Sequence, residues 1–148
     1  MFKHELTDGK RDEIKHILDV RQRGRCMVTG TVGTDMHEII FKRSDRPGEK
    51  TVSPFWHPYN CVLLSNPYHL KYGSNPLHTL YMLAYQLQMY GQDELEAYVK
   101  WVALRTGPHN LSEFIARRVN KIDKASDGYI MNNEIYIELS GGRDYAVF

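Results

Sequence analysis

The chain reads as an α+β domain: an N-terminal helix, two short strands joined by a long loop, a short helix, then a mostly helical half with a short β segment near the end. Three observations predict this. Apolar residues recur at helical spacing on both sides of a central region. Inside that region, two apolar runs of strand length are separated by a polar loop bearing Pro and Gly. The second run leads directly into a helix start.

The elements follow in order. Residues 8–22 place Ile14, Ile17, Leu18 and Arg21 at helical intervals, with Asp8 as the cap and Arg23-Gly24-Arg25 as the stop. Cys26-Met27-Val28-Thr29-Gly30 begins a short strand or turn, followed by a Gly- and Thr-rich connector. Residues 36–41, with the β-branched Ile39 and Ile40 and the aromatic Phe41, predict the first strand. Residues 42–58 hold Arg43, Arg46, Pro47, Gly48, Pro54 and Pro58, a long loop of the kind that often carries function. Residues 60–64 predict the second strand. Asn66-Pro67 supplies a helix cap followed by proline at the first helical position, and Gly73 a stop, so His69 falls in the first turns of a short helix.

Beyond it, Leu77, Leu80, Tyr81, Ala84, Leu87 and Tyr90 form one stripe, ended by Gly91. Leu95, Tyr98, Val99, Val102 and Ala103 form another, ended by Gly107-Pro108. Asn110 or Ser112 caps a third helix carrying Phe114, Ile115 and Val119. The alternation Ile135-Tyr136-Ile137-Glu138-Leu139 predicts a strand within residues 128–139. The whole is expected to be one domain, 1–148, with a helical extension over 77–120 whose apolar stripes serve as core or as a dimer interface.

Composition narrows the class. At 148 residues, 42% hydrophobic and 11% aromatic, the chain can build a core and is not a disordered segment. A net charge of +1 gives no global basic field, so any contact with nucleic acid must use local patches. Two cysteines, Cys26 and Cys61, make no disulfide framework. Met1-Phe2-Lys3-His4-Glu5 lacks the pattern of a secretory leader, and no run approaches the ~20 apolar residues of a membrane span. The expectation is a soluble protein of a reducing cytoplasm, with no membrane association.

The chemistry concentrates in a dispersed set, His37-Glu38, Asn60 and His69. The strand–loop–strand–helix pattern can bring two imidazoles from distant residues to one point, and a divalent metal is the main reason a chain would require that. Candidates for a third ligand are Asp35, which shares a strand face with His37, His57 in the loop, and His78 beyond the short helix. Two imidazole ligands tilt preference from Mg²⁺ toward Mn²⁺, Ni²⁺ or Zn²⁺.

These residues resemble the HNH nuclease family, also described as the ββα-metal fold. The resemblance spans residues 26–73: Cys26-Met27-Val28-Thr29-Gly30, His37-Glu38-Ile39, Asn60, and Leu64-Ser65-Asn66-Pro67-Tyr68-His69. It implies a ββα-metal core acting as a metal-dependent endonuclease that hydrolyses phosphodiester bonds in DNA. His37 and His69 would be metal ligands, Glu38 would stand where the family's general base is usually a histidine, and Asn60 would pin the loop. The roles of His37 and Glu38 can also be exchanged, one as base and the other as ligand. Compact members of this kind resemble those of bacteriophages and mobile elements, which implies the cytoplasm of a bacterial or phage-infected cell.

The family's structural zinc often uses four cysteines, and the corresponding positions here are Cys26, Thr29, Ser65 and Tyr68. A closed tetrahedral site needs all its ligands, so no structural zinc is expected. Arg21, Arg23 and Arg25 form one basic cluster for a nucleic-acid backbone, and Lys42, Arg43 and Arg46 a second that can clamp phosphate. Phe55-Trp56 is a candidate stacking or wedge element. Two rivals stand beside the nuclease: an inactive nucleic-acid-binding protein that keeps the fold, and a protein-interaction module acting through its helical half.

Overall fold

A computed structural model of the chain describes residues 3–42, 52–107 and 109–122. Among them are five helices and one two-stranded antiparallel sheet, an α+β arrangement. Arg43, Arg46 and the β segment expected within 128–139 lie outside the described residues. No helix among the described residues is long and apolar enough to cross a membrane.

The first helix, α1 (Arg11–Gln22), starts later than Asp8 suggested. Asp12 and Glu13 place negative charge in its first turn, where the helix dipole favours it. Asp8 instead receives both arms of the Arg105 guanidinium, at 2.6 and 3.0 Å. The helix ends where Arg23 adopts a left-handed conformation, φ 56°.

The sheet pairs β1 (Asp35–Glu38) with β2 (Cys61–Leu64), in the register Asp35↔Leu64, Met36↔Leu63, His37↔Val62 and Glu38↔Cys61. The first strand is shorter than the apolar run 36–41 because Asn60 intervenes. Its side-chain oxygen accepts the backbone N–H groups of Ile40 and Phe41 at 2.8 and 3.0 Å, and its amide donates to the carbonyls of Phe41 and Phe55. Beyond Ile39, one amide side chain has replaced the strand ladder.

Helix α2 (Asn66–Tyr72) is capped by Ser65, one residue earlier than expected: its hydroxyl accepts the Tyr68 N–H, and Pro67 falls inside the first turn. Then come α3 (Pro76–Tyr90), α4 (Gln92–Thr106) and α5 (Leu111–Lys121). Asn75 caps α3 and Asn110 caps α5 through their side-chain oxygens. Gly91, at φ 90°, ends α3 and starts α4, a conformation that favours glycine.

All four β2 residues are buried, and their alternation shows why. Cys61 and Leu63 pack with Ile14, Leu18 and Trp56 on the α1 side. Val62 and Leu64 join the larger cluster with Leu80, Leu83, Tyr98, Val99 and Ile115 of the later helices. The strand is the middle layer between α1 and the helical half. Its outer edge is closed by the Gln22 amide, which accepts from Leu63 N and donates to Leu63 O, both at 2.9 Å.

Candidate functional site

The hairpin and α2 assemble the site. Period-two alternation puts Asp35 and His37 on the same face of β1, and α2 packs across that strand and presents His69. The His37 and His69 rings lie with centres 5.0 Å apart at 67°. Gly73 leaves room for the His69 ring at the end of α2. Its backbone, at φ −56°, is one any residue adopts, but a Cβ there would stand 2.6 Å from the His69 carbonyl, 3.0 Å from His69 Cδ2 and 3.6 Å from His37 Cε1.

Hydrogen bonding defines the tautomer of each ring. His69 Nδ1 lies 2.8 Å from Asp35 Oδ2. An ionised carboxylate only accepts, so Nδ1 carries the proton and the neutral ring has an unprotonated Nε2. Asp35 is itself fixed by the Asn66 amide at 3.0 Å and the Thr34 hydroxyl at 2.9 Å. Burial pushes its carboxyl up, but the bonds from His69, Asn66 and Thr34 outweigh this and hold its pKa below the ordinary value. His37 Nε2 lies 3.1 Å from Lys42 Nζ. An ammonium only donates, so this Nε2 is also unprotonated. Burial, with Lys42 and His69 nearby, pushes the His37 pKa down to about 3. Burial of the Lys42 ammonium, against the opposing pull of the Glu38 charge, lowers its pKa to about 8.

Asn60 is completely buried, and its side chain holds the turn after β1 through Ile40 and Phe41 and ties it to the Phe55 carbonyl before β2. It shapes the site without touching the imidazole pair. Glu38 is not brought to that pair. Strand alternation carries it to the opposite face with Met36, opposite Cys61, and its charge acts on Cys61 and Lys42.

The other third-ligand candidates are engaged elsewhere. His57 is buried, receives the Tyr59 N–H on Nδ1 at 3.1 Å and donates from Nε2 to the Glu5 carbonyl at 2.7 Å. His78 stacks on Tyr72 at 3.9 Å and bonds the Tyr68 hydroxyl at 2.6 Å. Asp35 stands behind His69 rather than beside it. Among the described residues, no group of three or more His, Cys, Asp or Glu side chains is arranged to hold a metal.

The cysteine-like positions have other duties. Ser65 caps α2, Tyr68 bonds His78, and the Thr29 hydroxyl meets that of Thr31 at 2.8 Å. Cys26 is buried in the main core. Phe55 and Trp56 are core residues at 4% and 0% exposure, not a wedge presented to a ligand.

The basic residues divide. Arg21 turns inward: its guanidinium bonds the Pro58 and Cys61 carbonyls, the Gln22 side chain and the Tyr90 hydroxyl. That makes it a structural tie between α1, β2 and α3. Arg23 and Arg25 are exposed, the latter with one bond to the Gly30 carbonyl. Among the described candidate cations, Lys42 alone reaches the imidazole pair. The signal for Gly73 and for the Asp35–His69 bond was present in the residue types, but their positions became meaningful only once α2 crossed β1.

No protein-family model, curated protein or solved structure matches the chain.

Proposed function

We propose that the chain is a metal-dependent endonuclease of the HNH type, hydrolysing phosphodiester bonds in DNA within a bacterial or phage-infected cell. One observation carries this reading: two histidines from separate elements meet, His37 with its Nε2 lone pair turned to a cation and His69 backed by a carboxylate on Nδ1, which leaves Nε2 of its neutral ring as the free ligand atom. A carboxylate behind a histidine is the usual second layer of a metal site and raises the ligand's basicity. Two imidazoles bound at ~2.1 Å to a shared ion place their ring centres roughly 5 Å apart, which matches the pair here.

His37 and His69 would hold the ion, with Asp35 orienting His69. The bound ion would supply Lewis acidity to the scissile phosphate and lower the pKa of a water for attack. Lys42 adds a positive charge beside the same face, and Arg23 and Arg25 are exposed cations that a DNA backbone would meet after α1. Asn60 keeps the turn that carries Lys42 in place. Glu38 lies on the other face of the hairpin from the two imidazoles, and this reading gives it neither the ligand nor the base role.

The test is cleavage of supercoiled plasmid by metal-stripped protein supplied with Mg²⁺, Mn²⁺, Ni²⁺, Zn²⁺ or EDTA. Metal-restored nicking by the wild type and Glu38→Ala, lost in His37→Ala and His69→Ala, is the expected result. Silence of the wild type with every ion, or cleavage that persists in the histidine variants, would remove this reading.

A further inference from the structure

The atom of His37 that would face a metal is already in contact with a cation. Lys42 Nζ lies 3.1 Å from His37 Nε2, and the same ammonium donates to the Glu38 backbone carbonyl. This contact is built in. Asn60 bonds the backbone of Ile40 and Phe41 on one side of the turn and the Phe55 carbonyl on the other. The turn therefore delivers the residue after Phe41 back over the end of β1.

A nitrogen lone pair cannot serve an ammonium and a divalent ion at once. We infer that Lys42 is a tethered cation that competes with the divalent metal for His37 Nε2, so that metal entry displaces its ammonium from the imidazole. The inference rests on the metal-site reading above and adds to it a residue that sets metal affinity. It also gives Lys42 two positions: on His37 when no metal is bound, and released toward bound phosphate when the metal is in place. In both, a positive charge stays next to a buried, uncharged imidazole.

The experiment is calorimetric titration of metal-stripped protein with Ni²⁺ and Zn²⁺, read as affinity and not as cleavage. Lys42→Met keeps the length of the side chain and removes the charge, while Lys42→Arg keeps a charge. Thermal melting followed by circular dichroism establishes that each is folded. Lys42→Met should bind metal at least about tenfold more tightly than wild type, the scale of one hydrogen bond to a charged group. The gain should vanish when His37→Ala is added, since the two residues then no longer couple. Equal or weaker binding by Lys42→Met, with wild type binding normally, overturns the inference and leaves the metal site standing. A gain that survives His37→Ala also overturns it, because the effect would then be general electrostatics. If neither wild type nor Lys42→Met binds either ion, the metal site itself fails and the competition falls with it.

Discussion

His37 and His57 are histidines of the same kind with different work, and both are held uncharged. Burial pushes His37 down to about 3 and His57 to about 4, from an ordinary 6.5. In the unfolded chain they take up protons near 6.5; in the folded chain they do not. The unfolded state therefore binds more protons between these values, and stability rises with pH across that window. The contribution is fully present above pH 6.5, declines as pH falls below that, and is gone once pH has passed about 4 for His57 and about 3 for His37. Urea unfolding should show a slope of up to about 1.4 kcal/mol per pH unit for each histidine; a flat profile between pH 4 and 6.5 would contradict it. At the same scale, Asp35 acts through His69. Asp35→Asn should weaken metal binding by roughly 10–100-fold, the usual effect of losing a carboxylate behind a ligating imidazole, with little change in melting temperature. The sequence marked Asp35 as a possible ligand because it shares a face with His37. Its actual partner, on α2, depended on how that helix lies.

The elements of the site are set by two small residues that local patterns underrate. Asn60 ends β1 early, and the apolar run through Phe41 concealed this because periodicity does not register a side chain that replaces a ladder. Asn60→Ala would remove four side-chain bonds to the backbone, three of them buried, and should cost about 3 kcal/mol or more in chemical denaturation. Gly73 reads as a helix stop, yet its need is for space. Gly73→Ala should press on the His69 carbonyl and ring and distort the last turn of α2, costing about 1–3 kcal/mol, and should displace that imidazole, measurable as lost metal affinity. An alanine variant that binds metal like wild type would show that the close approach is dispensable. The helix ends were more legible. Gly91, Gly107 and Asn110 stand where the structure ends or caps α3, α4 and α5, because caps are local and their chemistry is written in one or two residues. Asp8 and Asn66 were drawn off their expected caps by Arg105 and by Ser65.

At the scale of the molecule, β2 is the shared layer. Leu63 is completely buried between α1 and Trp56 while its backbone is bonded by Gln22. Leu63→Ala should therefore destabilise by about 2–5 kcal/mol, measurable by denaturant unfolding. Arg21 ties the same layers and should behave as a structural residue. Arg21→Met should lower stability by about 1–3 kcal/mol through loss of its bonds to the Tyr90 hydroxyl and to the Pro58 and Cys61 carbonyls, which then keep only the Gln86 amide as donor. Arg23→Ala and Arg25→Ala, both on the surface, should leave the unfolding transition unmoved and report only on DNA affinity. The helical half is not an appendage to the hairpin. Tyr98, Val99 and Ile115 are in the same apolar cluster as Val62 and Leu64, so the stripes read as core or dimer surface are core.

The amino-acid order alone established the α+β class, the succession of two strands and a short helix, and the histidines worth attention. Those properties depend on periodicity, caps and residue chemistry, all of them local. The fold decided what each polar group faces. It set Asp35 behind His69 and Lys42 on His37, turned Arg21 inward, took Glu38 to the far side of the hairpin, and tied His57 and His78 into other contacts. Such choices depend on strand register and on how helices cross strands, where distant residues meet through packing that no short window of sequence contains.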